Sequence, residues 1–125
     1  MRAALIQMMV TADKGQNLRT ACDRIREAAQ NGADIAMLPE MFCCPYDNSC
    51  FAAYGESEGG EAQAALSALA AELGIYLVGG SLPELAEGRI YNTSYVYGPD
   101  GRQIAKHRKA HLFDIDVQGG QRFRE

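Results

Sequence analysis

Nowhere does the chain hold the long uncharged apolar run that a membrane-spanning helix needs. Its N-terminus also lacks the features of a secretory signal. In MRAALIQMMV the short apolar run is interrupted by Gln7, polar TADKGQN follows at once, and no small-residue cleavage site ends it. The expected location is the cytoplasm. Basic charge is in short supply: twelve Lys and Arg stand against sixteen Asp and Glu, a net charge of -4. That balance argues against a protein that works by neutralising nucleic-acid phosphates. Neither end of the chain carries a run of like charge, and there are no internal repeats or low-complexity segments. No Gly-x-Gly-x-x-Gly and no P-loop occurs, so no nucleotide cofactor is expected. Gly79-Gly80 is an isolated pair, better explained by tight packing at a strand end. Cys22, Cys43, Cys44 and Cys50 lack the C-x-x-C pairs and histidine partners of a zinc site. No metal is expected, and without a secretory signal the four thiols should be reduced.

What is present suits one hydrophobic core. An apolar fraction of 47% with 22% charged residues argues against disorder in a chain of 125 residues. Residues 3–9 form an apolar run that predicts a buried first strand. Asp13 with Gln16 three positions on predicts a capping box. Leu18, Ala21, Cys22, Ile25, Ala28 and Ala29 then recur at helical spacing up to a stop at Asn31 and Gly32. DIAML at 34–38 predicts a short buried strand ended by Pro39. The segment 41–60 has mixed, loop-like chemistry. Ala62, Leu66, Leu69, Ala70 and Leu73 predict a second helix capped by Gly74. Residues 75–82 predict a strand, 83–88 a turn-rich connection, and 89–97 a tyrosine-rich strand. The turn GPDG at 98–101 leads into a partner strand at 102–109, giving an antiparallel hairpin. Together these predict a layered α/β domain with a mixed sheet.

Two residues stand out for chemistry. Glu40, in LPE, lies just past the carboxyl end of a buried strand, the edge where open α/β sheets bind ligands. A carboxylate held partly out of water there has its proton affinity raised and can act as a general base; the alternative is a solvated loop glutamate. Lys109 belongs to a basic segment with Arg102, Lys106 and Arg108, which on its own reads more naturally as a solvated strand face or a weak anion patch. Because strand side chains alternate, Arg108 and Lys109 must point to opposite faces, so one of them can face a site and stabilise an oxyanion. His107 and His111 are weaker candidates, since neither sits in a nucleophile motif.

The order LPEMF, GGSLPE, YNTSYVYGPDG and KHRKAHLFDID resembles the nitrilase superfamily of carbon-nitrogen hydrolases, and within it the Nit-type, ω-amidase-like branch, over essentially Met1 to Glu125. The resemblance implies an α-β-β-α sandwich, here its N-terminal portion, and amide hydrolysis through a thioester acyl-enzyme. Glu40 matches the general base and Lys109 the lysine that stabilises the tetrahedral intermediate. Glu125, in FRE, matches a second active-site glutamate that orients the lysine and substrate, and Tyr46, in CCPYD, an aromatic residue near the substrate. The family's nucleophilic cysteine lies in a Gly-x-x-x-Cys-Tyr-Asp segment beyond the lysine. None of the four cysteines here matches it, so the 125 residues alone are expected to be inactive. The implied partners are a small-molecule amide and further copies of the chain in a homo-oligomer, with no nucleic acid or membrane, and no cofactor is required. The competing expectation is a non-catalytic half-domain or binding module that lacks the nucleophile. Strand edges and apolar faces that the complete sandwich would cover should promote self-association.

Overall fold

The computed structural model describes residues 1–116 and 122–125. The first apolar run forms strand β1 (Ala3–Leu5), shorter than 3–9. Its parallel partner β2 (Ile35–Met37) is itself stopped by Pro39, and the last ladder bond runs from Ile6 N–H to Met37 O at 2.9 Å. Between them lies helix α1 (Lys14–Gln30), whose Asp13 carboxylate accepts the Gln16 N–H at 2.9 Å. The return half of the expected capping box is replaced: Asp13 N–H donates to Thr11 Oγ1 instead.

The segment 41–60 is not all loop. Asp47 caps a short helix, α2 (Asn48–Tyr54), by accepting from Ser49 N–H. Helix α3 (Glu61–Leu73) follows, with Gly74 in the left-handed region at its end as expected. Its N-cap, Gly60, has no side chain to offer. The Glu56 carboxylate accepts the Ala62 and Gln63 N–H groups in its place, at 3.1 and 3.0 Å, while Lys14 Nζ sits 2.9 Å away.

The predicted strand 75–82 is broken by Gly79-Gly80 into β3 (Tyr76–Val78) and the start of β4 (Leu82–Ala86). Residues 83–88, expected to be turn-rich, are therefore mostly strand. Glu87 and Gly88, at φ 52° and 72°, make the tight turn into β5 (Arg89–Tyr97), a geometry that matches the twist of the flanking strands. Strand β6 (Gln103–Arg108) completes the expected antiparallel hairpin with β5. The sheet is mixed: β1, β2 and β3 are parallel, β3 and β4 both pair antiparallel with β5, and β6 also pairs with β5. A separate hairpin joins β7 (Asp114–Asp116) to β8 (Arg122–Arg124).

Helices α1 and α3 cover one face of the sheet, enclosing Leu18, Ile25, Ala36, Leu66, Leu77 and Tyr95. The opposite face is open. Leu5, Met37 and Tyr76 are 77%, 40% and 47% exposed there, from neighbouring strands. Towards β5 and β6 that face turns polar.

Candidate active site

The polar end of the open face begins where β2 stops. Leu38 N–H donates to Val78 O at 3.0 Å, and Pro39 then turns the chain outward so that Glu40 stands at the sheet edge. Gly80 makes this possible. It has φ 51°, and a Cβ there would lie 2.1 Å from the Pro39 carbonyl oxygen. Ser81 secures the turn: its Oγ accepts from Met41 N–H at 3.0 Å and its carbonyl from Phe42 N–H at 3.3 Å. Met41 is held at φ 50°, a region that non-glycine residues rarely occupy.

Lys109 arrives from the other side of the sheet, its N–H bonded to Asn92 O at 2.8 Å. Side-chain alternation along β6 divides the basic segment as expected. Arg108 and Lys106 turn to the helix-covered side, where both meet the Glu84 carboxylate, with Arg108 Nε and Nη2 at 2.9 and 3.1 Å. The Arg108 contact is the leading cause that holds Glu84 far below the usual carboxylate range, at about 2; burial opposes it, and Lys106 and Thr93 add to it. Lys109 turns to the open side. Its Nζ lies 3.0 Å from Glu40 Oε1, 2.6 Å from Glu125 Oε2 and 3.2 Å from the Tyr46 hydroxyl.

The four residues that the resemblance implied for a site, Glu40, Lys109, Glu125 and Tyr46, thus meet at one point. Tyr46 is kept there by Phe51, edge-on at 5.7 Å, and by Phe123, stacked at 5.4 Å. A fifth member, Asn92 on β5, was not singled out as a site residue. Its Nδ2 donates to Glu40 Oε1 at 2.9 Å and to Glu125 Oε1 at 2.7 Å. The available signal was an asparagine inside a tyrosine-rich strand, a residue type that strands disfavour.

The two carboxylates differ. Glu125 has a side chain 4% exposed and both oxygens occupied: Oε1 by Asn92, Oε2 by Lys109 and by the Phe113 N–H at 2.8 Å. Burial pushes Glu125 up, but these donors outweigh it and hold the carboxyl below its ordinary value. Glu40 is less shielded from water than its strand-end position suggested, with a side chain 50% exposed. Three contacts fall on its Oε1, from Asn92, from Lys109 and, at a long 3.4 Å, from Tyr46. Among the described residues no donor falls on Oε2. Burial works against the Lys109 ammonium, yet Glu125, Glu40 and Tyr46 raise it above the ordinary lysine range. Lys109 is therefore a fixed cation and not a proton carrier at neutral pH.

Two cavities flank the cluster. One, of about 270 Å³, lies between Glu40, Ser81, Asn92, Ser94, His107 and Lys109. The other, of about 320 Å³, is lined by Met41, Asn48, Phe51, Ile90, Leu112 and Arg124 along with Asn92 and Glu125. His107 thus faces the site, whereas His111 is simply exposed. Burial pushes the Cys43 thiol up to about 11 and the Cys44 thiol up to about 12, and both side chains sit in apolar clusters. Neither is a nucleophile for Glu40 to activate. Among the described residues no group of three or more histidine, cysteine, aspartate or glutamate side chains is arranged to hold a metal ion.

Residues 2–125 match the family model described as carbon-nitrogen hydrolase. Over 124 residues the chain is 52% identical to "Omega-amidase NIT2" of Xenopus tropicalis and 51% identical to that of Homo sapiens; each match covers 99% of this chain and 45% of the relative. Among solved structures, Saccharomyces cerevisiae Nit3, a member of branch 10 of the nitrilase superfamily, superposes with a TM-score of 0.82 at 39% identity, over 88% of this chain and 44% of that one. The C. elegans NitFhit protein superposes at 0.81 and 25% identity, over 98% of this chain and 31% of that one. The chain spans less than half the length of these curated relatives. From its first strand to Glu125 it belongs to the carbon-nitrogen hydrolase family, as the N-terminal portion of a Nit-type nitrilase-superfamily fold.

Proposed function

We propose that this chain supplies the carboxylate-and-lysine side of an amidase active site, in a protein that hydrolyses small carboxylic acid amides through a thioester acyl-enzyme. The observation that carries this reading is the unequal loading of the two glutamates around one fixed ammonium. Glu125 accepts hydrogen bonds on both oxygens and serves as a counter-ion, whereas Glu40 Oε2 meets no donor among the described residues and can take a proton. In the first step Glu40 accepts the thiol proton and the thiolate attacks the amide carbonyl. The Lys109 ammonium then stabilises the oxyanion. Glu40 passes the proton to the leaving nitrogen, ammonia departs, and Glu40 next deprotonates the water that cleaves the thioester and regenerates the thiol. The thiol must come from outside residues 1–125, because Cys22, Cys43, Cys44 and Cys50 do not belong to the cluster.

The substrate class suggested is the monoamide of a dicarboxylic acid. Support comes from the Lys109 ammonium in the cluster, from Arg124 beside the 320 Å³ cavity, and from the relatives named omega-amidase. Ammonia release tests the reading, in the protein of natural length that carries this chain, with dicarboxylate monoamides compared against simple aliphatic amides and N-carbamoyl compounds. Glu40→Gln should lower kcat/KM by about a thousandfold and Lys109→Ala by about a hundredfold or more. The absence of a thiol from the cluster favours a second reading, a non-catalytic half-domain or binding module. It predicts no ammonia from any amide, and no loss of function in either variant.

A further inference from the structure

Asn92 is 7% exposed in the middle of β5 and touches every charged member of the site. Its amide reaches Glu40 Oε1 at 2.9 Å and Glu125 Oε1 at 2.7 Å, and its backbone carbonyl accepts the Lys109 N–H at 2.8 Å. Both side-chain neighbours are carboxylate oxygens, so the NH2 end of the amide must face them. We propose that Asn92 is a positioning residue: its amide ties the two carboxylates to either side of Lys109 and, by occupying Glu40 Oε1, leaves Oε2 as the oxygen that exchanges protons.

The charge balance shows why such a group is needed. Two carboxylates share one ammonium, a surplus of one negative charge. A neutral dipole with its hydrogens directed at both reduces their repulsion without adding a cation that would compete for the developing oxyanion. An amide NH2 can only donate, so each glutamate meets it as an acceptor, and at Glu125 this hydrogen bond helps hold the carboxyl below its ordinary value. Hydroxyl or carboxylate side chains could not do this for both at once. The titratable groups around the amide are Glu40, Glu125, Lys109 and Tyr46, with His107 across the smaller cavity.

Only the kinetic part of the test rests on the amidase reading. The carboxyl carbon of Glu125 is titrated by NMR in the protein of natural length, for the wild type, Asn92→Asp and Asn92→Ser, alongside the pH profile of kcat/KM. Asn92→Asp keeps the shape and removes both donors. It should raise the Glu125 midpoint by about one unit or more, move the acid limb of the profile to higher pH, and lower kcat/KM by about tenfold to a hundredfold. Asn92→Ser, small enough for the space and still carrying one donor, should fall between, and it decides the matter if Asn92→Asp does not fold. A wild-type Glu125 titration in the folded variants, with only the melting temperature lowered, overturns the proposal. If the wild type turns over no amide, the functional reading fails and the Glu125 titration still decides the role of Asn92.

Discussion

An alanine at Gly80 would need a positive φ and would place its Cβ 2.1 Å from the Pro39 carbonyl oxygen, a collision with backbone that no rotamer relieves. Gly80→Ala should therefore destabilise the fold by about 2–3 kcal/mol. Because Pro39 carries Glu40, it should also displace the Glu40 carboxylate from Lys109. Denaturant unfolding checks the first effect; a midpoint within error of wild type would show that the chain reroutes around the new methyl. Glu40 itself was legible from the sequence, since Pro39 fixes the end of β2 and the next side chain must lie at the sheet edge. Asn92 was not. Its role depends on two glutamates 52 and 33 positions away, and nothing local distinguishes it from an asparagine that merely tolerates a strand.

Between elements, the same logic governs Glu84. Its carboxylate on β4 is 2% exposed and ties β4 to β6 through Arg108 and Lys106. The depressed carboxyl contributes stability that is fully present above its unfolded value, near 4.5, and is lost as pH falls through about 2. Glu84→Gln should cost about 3 kcal/mol, the low end for breaking a buried ion pair, since both cations keep some contact with water. It should also flatten the pH dependence of the urea midpoint between about 4.5 and 2. An unchanged slope would mean that other carboxylates govern acid unfolding. Glu56→Ala should likewise loosen the start of α3 by about 1–2 kcal/mol, as Gly60 has no side chain to replace the lost cap. Hydrogen exchange at Ala62 and Gln63 reads this directly, and unaltered protection there would argue that water caps the helix equally well. The two longer helices were legible because their periodicity and glycine stops are local. Helix α2 was not: its seven residues bury chiefly Phe51, too short a repeat to show a period. The division of 75–82 into two strands was equally hidden, because both halves pair with β5, a partner that comes later in the chain.

For the whole molecule, the open sheet face is the governing feature. Among the described residues nothing covers the apolar patch that Leu5, Met37 and Tyr76 form across three strands or pairs with the outer edge of β1 beside it. Residues 1–125 expressed alone should therefore self-associate or melt over a broad range. Light scattering and a thermal scan check this, and a monodisperse monomer with a sharp cooperative transition would count against it. Among the described residues no helix is long and apolar enough to cross a membrane. A homo-oligomer of the protein of natural length remains a proposal that rests on the family resemblance, for sedimentation to test.

The sequence by itself determined the two longer helices, the antiparallel hairpin of β5 and β6, the place of Glu40 just past the end of β2, and the opposite facing of Arg108 and Lys109. Each of these follows from hydrophobic period, proline and glycine stops, and strand alternation, which act over a few residues. Only the tertiary structure decided that Lys109 meets Glu40 across 69 positions and Glu125 across 16, that Asn92 joins them, and that among the described residues no donor reaches the second oxygen of Glu40. Which hydrogen bonds form depends on which side chains from different strands share a face at the same height, and that is set by sheet pairing and not by any local run of residues.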